Sequence, residues 1–501
     1  MSWILLVGLS QAQDQAAPPE SRKVEADTVL PETAEPRAVE FLGLVQTKAT
    51  ATNVVTTNPF FDGQVVGVLD GTAGATTSAT DTTWVTEQRA VGFLGYKPAV
   101  LGGKARLTAA FEVDFAWGDA AYGIGGNTGG GFGADQVNLQ TRRLHADFWS
   151  SALRHEQHTV VGLQFVGDSA ADPTADSPDD LLRSGGRLMV FGSEAAGLSV
   201  YGRVRNGWGE RLGYRLGAYT LVENASAQPD DVTLFMADAQ LHPAYRTTLG
   251  LHGWVLRDRS GGQGGALGVG PGSALAELQG AAPIDAAGAD ADLAWLGADL
   301  GWNHDLAGGP VGLTGLALTN LGTVRPEQGA DIGVQAALLD AEARWRWTAG
   351  EGSVIRAEAL YVTGDSVSTP TYTGFVTGNA YGIAGAVHNT HGTVLLHPDV
   401  LSINRQVSHS GDVAAAGRGM LSLTADVGYD PIPDRLTVSL GGGHAAFGGG
   451  TTAQEVHARV VGQPLLFLRT GLTGAYLARP SGQATPNDAW AVYAHLDWLV
   501  F

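Results

Sequence analysis

Charged residues in this chain stand at every second position of otherwise apolar stretches, and that spacing limits the chemistry open to them. Leu339-Asp-Ala-Glu-Ala-Arg-Trp-Arg-Trp347 puts Asp340, Glu342, Arg344 and Arg346 on one side. Leu339, Ala341, Ala343, Trp345 and Trp347 fall on the other. The stretch 355–361 repeats this with Arg356 and Glu358, 107–117 with Glu112 and Asp114, and 421–429 with Asp426. The same parity places Arg203, Arg205, Arg215, Arg459, Arg469, Asp299 and Glu455 on the polar side. Such rows contain no nucleophile with its orienting partners, so no catalytic residues are assigned and the chain is not read as an enzyme. Facing one another across water, the rows would sort and orient charged or dipolar solutes. Alternatively they pair among themselves as structural ion pairs.

Two other constellations are set aside. His388, His391, His397 and His409 lie within 366–418, and His388-x-x-His391 has ligand-like spacing. No Cys joins them and no regular element orients the rings, so neither a metal nor a cofactor is expected. The glycine-rich 123–133 stretch precedes no helical pattern and reads as a surface loop rather than a nucleotide cradle.

The elements that must position the rows are β-strands, because the period is two almost throughout from residue 39 onward. No run of 18 apolar residues exists, so transmembrane helices are not expected. The chain of 501 residues has no Cys, which excludes disulfides and thiolate metal sites and suits passage through an oxidising compartment. A net charge of −20 argues against a nucleic-acid partner. Met1–Ala12 has the short apolar core and small-residue Ser10-x-Ala12 site of a secretory signal. Residues 13–38, rich in Pro and Glu, read as a disordered periplasmic linker.

The final stretch alternates strictly. Trp490, Val492, Ala494, Leu496, Trp498 and Val500 face one way, Ala491, Tyr493, His495 and Asp497 the other, and the chain ends at Phe501. This looks like the closing strand of a bacterial outer-membrane β-barrel, whose terminal aromatic is part of the signal read by the barrel-assembly machinery. A transmembrane antiparallel up-and-down barrel over 39–501 follows, with lipid outside and small solutes or ions within. Counting alternate short turns and long loops from both ends gives about 18 strands, provided 167–197 is a loop, since its Arg187–Gly192 piece is too short to span. The faces of 39–49 and 84–96 stay unassigned, and so does the oligomeric state.

In general porins the loop after the fifth strand folds inward and narrows the pore. Here 167–197 carries Asp168, Asp172, Asp176, Asp179, Asp180 and Glu194 against Arg183 and Arg187. Arg203 and Arg205, on the next strand, are expected to hold that acidic cluster. The 366–418 loop is expected to be extracellular. Leu139–Phe148, Val161–Asp168 and Ala357–Asp365 resemble strands of the alginate-export-like barrels. That resemblance implies a barrel of similar size with a lumen lined by Arg and carboxylates. The expected function is passive diffusion of small hydrophilic or charged solutes across the bacterial outer membrane. The alternatives are a specific polysaccharide or organic-anion channel, and a non-conducting anchor with binding loops.

Overall fold

In the computed structural model, the described residues are 38–56, 69, 75–99, 103–117, 138–152, 155–168, 189–206, 209–223, 231–261, 284, 288–365, 370–378, 392–398, 408–481 and 487–500. The signal (1–12), nearly all of the linker, the glycine-rich loop, Asp172–Arg187, His388, His391 and Phe501 lie outside them.

Among the described residues, eighteen strands pair antiparallel in chain order. They are β1 (Val39–Thr52), β2 (Thr83–Tyr96), β3 (Ala105–Ala116), β4 (Asn138–Ala152), β5 (His155–Gly167) and β6 (Gly192–Asn206). Next come β7 (Gly209–Val222), β8 (Val232–Ala244), β9 (Thr247–Asp258), β10 (Asp290–Trp302), β11 (Val311–Arg325) and β12 (Ile332–Arg346). The ring is completed by β13 (Val354–Val362), β14 (Met420–Ile432), β15 (Leu436–Phe447), β16 (Thr452–Leu465), β17 (Leu468–Ser481) and β18 (Ala489–Val500). β18 pairs with β1 from Gly43↔Val500 to Thr52↔Ala491, which closes the sheet and leaves no edge. Following the registers once round returns to β1 displaced by about 22 residues, which implies a strand tilt of roughly 40° and a backbone radius of about 17 Å.

Alternation decides the two faces. On β14, Leu421, Leu423, Val427 and Tyr429 are 45–51% exposed, while Ser422, Thr424 and Asp426 between them are buried. An exposed apolar outer face over a buried polar inner one inverts the usual soluble arrangement and matches a lipid-facing barrel. The two unassigned strands obey the rule: Gln46, Lys48 and Thr50 on β1 and Val85, Glu87 and Phe93 on β2 are buried, while Trp84, Leu94 and Tyr96 are exposed. An aromatic belt forms from Trp302, Trp345, Trp347 and Trp498, all exposed. Trp254 and Trp295 depart from it, being fully buried on the inner face.

The 366–418 stretch folds inward in its described parts. Residues 371–378, 392–398 and 408–415 pack against inner-face residues of the wall. The physical reason is apolar content: Phe375, Val376, Leu395, Leu396 and Val413 meet inward Leu318, Leu338, Leu360 and Ala445 in one buried cluster. Boundaries also move. The loop predicted over 167–197 is 168–191, because Gly192–Gly197 already pairs with Leu163–Gly167 and Gly162 on β5.

Candidate functional site: a lumen narrowed by pinned loops

Two buried carboxylates hold inward-folded segments in the same way. Asp168, just beyond the end of β5, accepts from three successive amides, Met189, Val190 (3.0 Å) and Phe191 (2.6 Å). Glu455 on β16 accepts from Val394 (2.5 Å), Leu395 (2.8 Å) and Leu396 (2.5 Å). Three consecutive N–H groups converging on one carboxylate form an anion nest, here filled by the chain's own side chain. Burial pushes the Asp168 carboxyl up to about 7, against the three amides and His252, which favour its charged form.

The pinned segments then lock onto the wall and onto each other. The Phe191 ring meets Trp254 and Trp295 edge-on, with centroids 5.4 and 5.3 Å apart. Trp295 Nε1 donates to Val376 O (2.9 Å), and the Gly378 amide donates to Val190 O (2.6 Å), joining the two loops. Arg459 donates to Thr393 O (2.8 Å), and the His397 ring is 2.8 Å from Ser422 Oγ. His409 contacts Leu69 O (3.1 Å), tying in the loop that follows β1. These partners account for His397 and His409 as lumenal packing residues. Among the described residues, no group of three or more His, Cys, Asp or Glu could hold a metal.

Beside the Asp168 clamp runs a charged relay. Arg215 on β7 holds Asp238 on β8 through Nε (2.8 Å) and Nη2 (2.6 Å) and also donates to Gly167 O (2.7 Å). Asp238 further accepts from Trp254 Nε1 (2.8 Å) and meets His252 Nδ1 (2.9 Å), while His252 Nε2 meets Asp299 (2.9 Å). Of these residues, Arg215 and Asp299 were among those the alternation put on the polar face. Asp238, His252 and Trp254 were missed, because alternation marks a face and not which apolar-looking strand carries a partner.

The remaining expected residues divide. Arg356 pairs with Asp426 (3.2 Å) across β13 and β14. Arg344 pairs with Glu342 on its own strand, and it and Arg346 donate to His304 O and Leu306 O (3.2 Å each) in the β10–β11 turn. Within that turn, the Asp305 carboxyl is partly desolvated, yet the Ala307 amide and Arg246 hold it below the usual range. Asp340 is buried, and Glu358 and Arg469 are half-buried. Asp114 lies outside the described side chains.

The acidic cluster that Arg203 and Arg205 were expected to hold, Asp172 to Asp180, lies outside the described residues. The described partner of Arg205 is Glu156 (3.8 Å) at the β6–β7 turn end. Arg203 lies eleven positions along β6 from Gly192, about 35 Å at a strand's rise. The loop's described grip comes from Asp168 instead.

Strands β2 to β6 carry an alternating ladder. Arg89 pairs with Glu112 (3.3 Å), Glu112 with Arg142 (3.5 Å), and Arg142 with Glu194 (3.3 Å). Arg142 and Arg143 are consecutive, so a regular strand would send one of them outward. The register slips between Ala110↔Arg143 and Phe111↔Thr141, a β-bulge that leaves Arg142 as the extra residue. Arg143 stays buried beneath it with its guanidinium 5.3 Å from the Phe93 ring centroid. The sequence signal was there: two charges in a row inside an otherwise alternating strand.

No family model matches the chain, and no curated protein matches it. Solved structures do. The chain is similar to Acinetobacter baumannii OccAB4 at 12% identity and a TM-score of 0.47, covering 92% of this chain and 98% of that one. It is similar to the Pseudomonas aeruginosa outer membrane protein opdK at 13% identity and a TM-score of 0.46, with 92% and 98% covered. For Pseudomonas aeruginosa OccK3 (OpdO) the values are 11%, 0.46, 92% and 96%. By its own geometry the chain is a closed antiparallel β-barrel of eighteen strands.

Proposed function

We propose that the protein is an outer-membrane channel through which small hydrophilic or charged solutes diffuse passively. One observation carries this reading. An eighteen-strand ring is wide enough for an aqueous interior, and partly exposed Arg89 and Arg142 pair with Glu112 on strands β2 to β4. A non-conducting anchor has no use for a half-solvated row of ion pairs inside its wall. In this reading residues 1–12 direct export, and β18 is the strand presented to the barrel-assembly machinery. The alginate-export-like assignment rests on the three sequence stretches alone. The described lumen pairs its arginines with carboxylates, which supports small mixed-charge solutes over a long polyanion.

The test is single-channel current of the refolded protein in a planar bilayer under a salt gradient. Stable open steps are expected. A tight bilayer despite verified insertion would refute the channel.

A further inference from the structure

Deepening the channel reading and resting on it, we propose that the Arg89–Glu112–Arg142–Glu194 ladder selects dipolar ions. These are solutes such as α-amino acids and short peptides, which carry an ammonium and a carboxylate together. The argument starts from how these pairs are held. Their N···O separations of 3.3–3.5 Å are loose beside the 2.6 Å of the buried Arg215–Asp238 pair. Arg142 is 35% exposed, whereas the carboxylates flanking it, Glu112 and Glu194, are only 4% and 10% exposed. Water therefore reaches the cation but serves the anions poorly.

That asymmetry defines what can enter. A solute bearing only a carboxylate can draw Arg142 away, but it leaves Glu194, only 10% exposed, without its described ion-pair partner, while Glu112 keeps Arg89. A solute bearing only an ammonium takes Glu194 from Arg142 and gives that guanidinium nothing in exchange beyond Glu112 and water. A dipolar ion replaces both halves of one internal pair at once: its carboxylate takes Arg142, and its ammonium takes Glu112 or Glu194. Every ion pair broken is remade, so exchange is close to balanced. Binding is weak and transit quick, as a diffusion channel requires. The bulge makes this possible, because without the extra residue Arg142 would point into lipid and the ladder would end at Glu112.

The experiment uses the full-length protein in proteoliposomes, with swelling rates measured in isosmotic glycylglycine, erythritol and sodium acetate. For the unaltered protein, glycylglycine is expected to enter on the order of tenfold faster than erythritol. Arg142→Gln and Glu194→Gln, each verified as folded by heat-modifiable gel mobility, should bring that ratio close to one. The double exchange Arg142→Glu with Glu194→Arg, which keeps an ion pair, should recover part of it. A glycylglycine-to-erythritol ratio near one in the unaltered protein, or one unmoved in both Gln variants, overturns the proposal and leaves the channel standing. Entry of acetate as fast as glycylglycine also overturns it. No swelling in any solute refutes the channel itself.

Discussion

Replacing Glu455 with alanine should free the 392–398 segment from the wall without opening the barrel. The carboxylate is buried and receives three amides, from Val394, Leu395 and Leu396. Removing it strands three buried donors at about 1–3 kcal/mol each, or roughly 3–6 kcal/mol together after partial relaxation. Against this, burial of Leu395 and Leu396 contributes about 1.5–3 kcal/mol apiece. Ordering the segment costs about 1–2 kcal/mol for every residue fixed. Docking is thus a small difference between large terms, and loss of the carboxylate reverses its sign. The strand pairings of β16 with β15 and β17 do not involve the side chain, so the ring stays closed. The expected outcome in a planar bilayer is a larger and noisier open level, with new protease cleavage between 392 and 398. Glu455→Gln keeps one acceptor oxygen and should fall between. An open level and a cleavage pattern identical to the unaltered protein's would refute the view that this carboxylate sets the constriction.

The companion site adds a pH dependence. Because Asp168 is raised to about 7 when its loop is docked, the docked state binds the proton more tightly than the released one. Docking is strongest below about pH 4, weakens as pH rises towards 7, and is level above it; current noise should follow that course, and Asp168→Asn should flatten it. Asp238→Asn takes the counter-charge from buried Arg215 and His252, at a cost of about 3–5 kcal/mol; the temperature at which the folded gel band converts should fall, and an unchanged temperature would contradict the relay. Ala425→Arg, at mid-strand on the outer face of β14, should cost roughly 2–4 kcal/mol if that face meets lipid; the check is the denaturant midpoint of the refolded protein in vesicles, which should drop.

Much of the wall was legible in the sequence, because a strand's side-chain period is fixed by backbone geometry. Leu421 to Tyr429 and Trp490 to Val500 sort into faces as written. What alternation could not convey is where it breaks. Arg142 and Arg143 look like one inward and one outward residue until a single extra residue turns both in. Nor does it say which way a loop goes: 366–418 has the length of an external loop, and its inward course depends on apolar contacts with strands far off in sequence. Trp254 and Trp295 sit on the inner face, where Asp238 and Val376 O accept from their indole N–H groups.

The two carboxylate clamps also carry a consequence for the order in which the molecule is made. Each joins residues near in the chain, 21 to 23 apart for Asp168 and 59 to 61 for Glu455. The entropic cost of closing such short circuits is modest, so they can form on a nascent, still open sheet. The seam between β1 and β18 and the contact of Leu69 with His409 bridge 451 and 340 residues and come late. The inner furniture is thereby fastened before the walls meet, and a barrel that curls shut does so around loops already in place. Pulse-labelled hydrogen exchange during refolding would show amides 189–191 and 394–396 protected ahead of those in the seam.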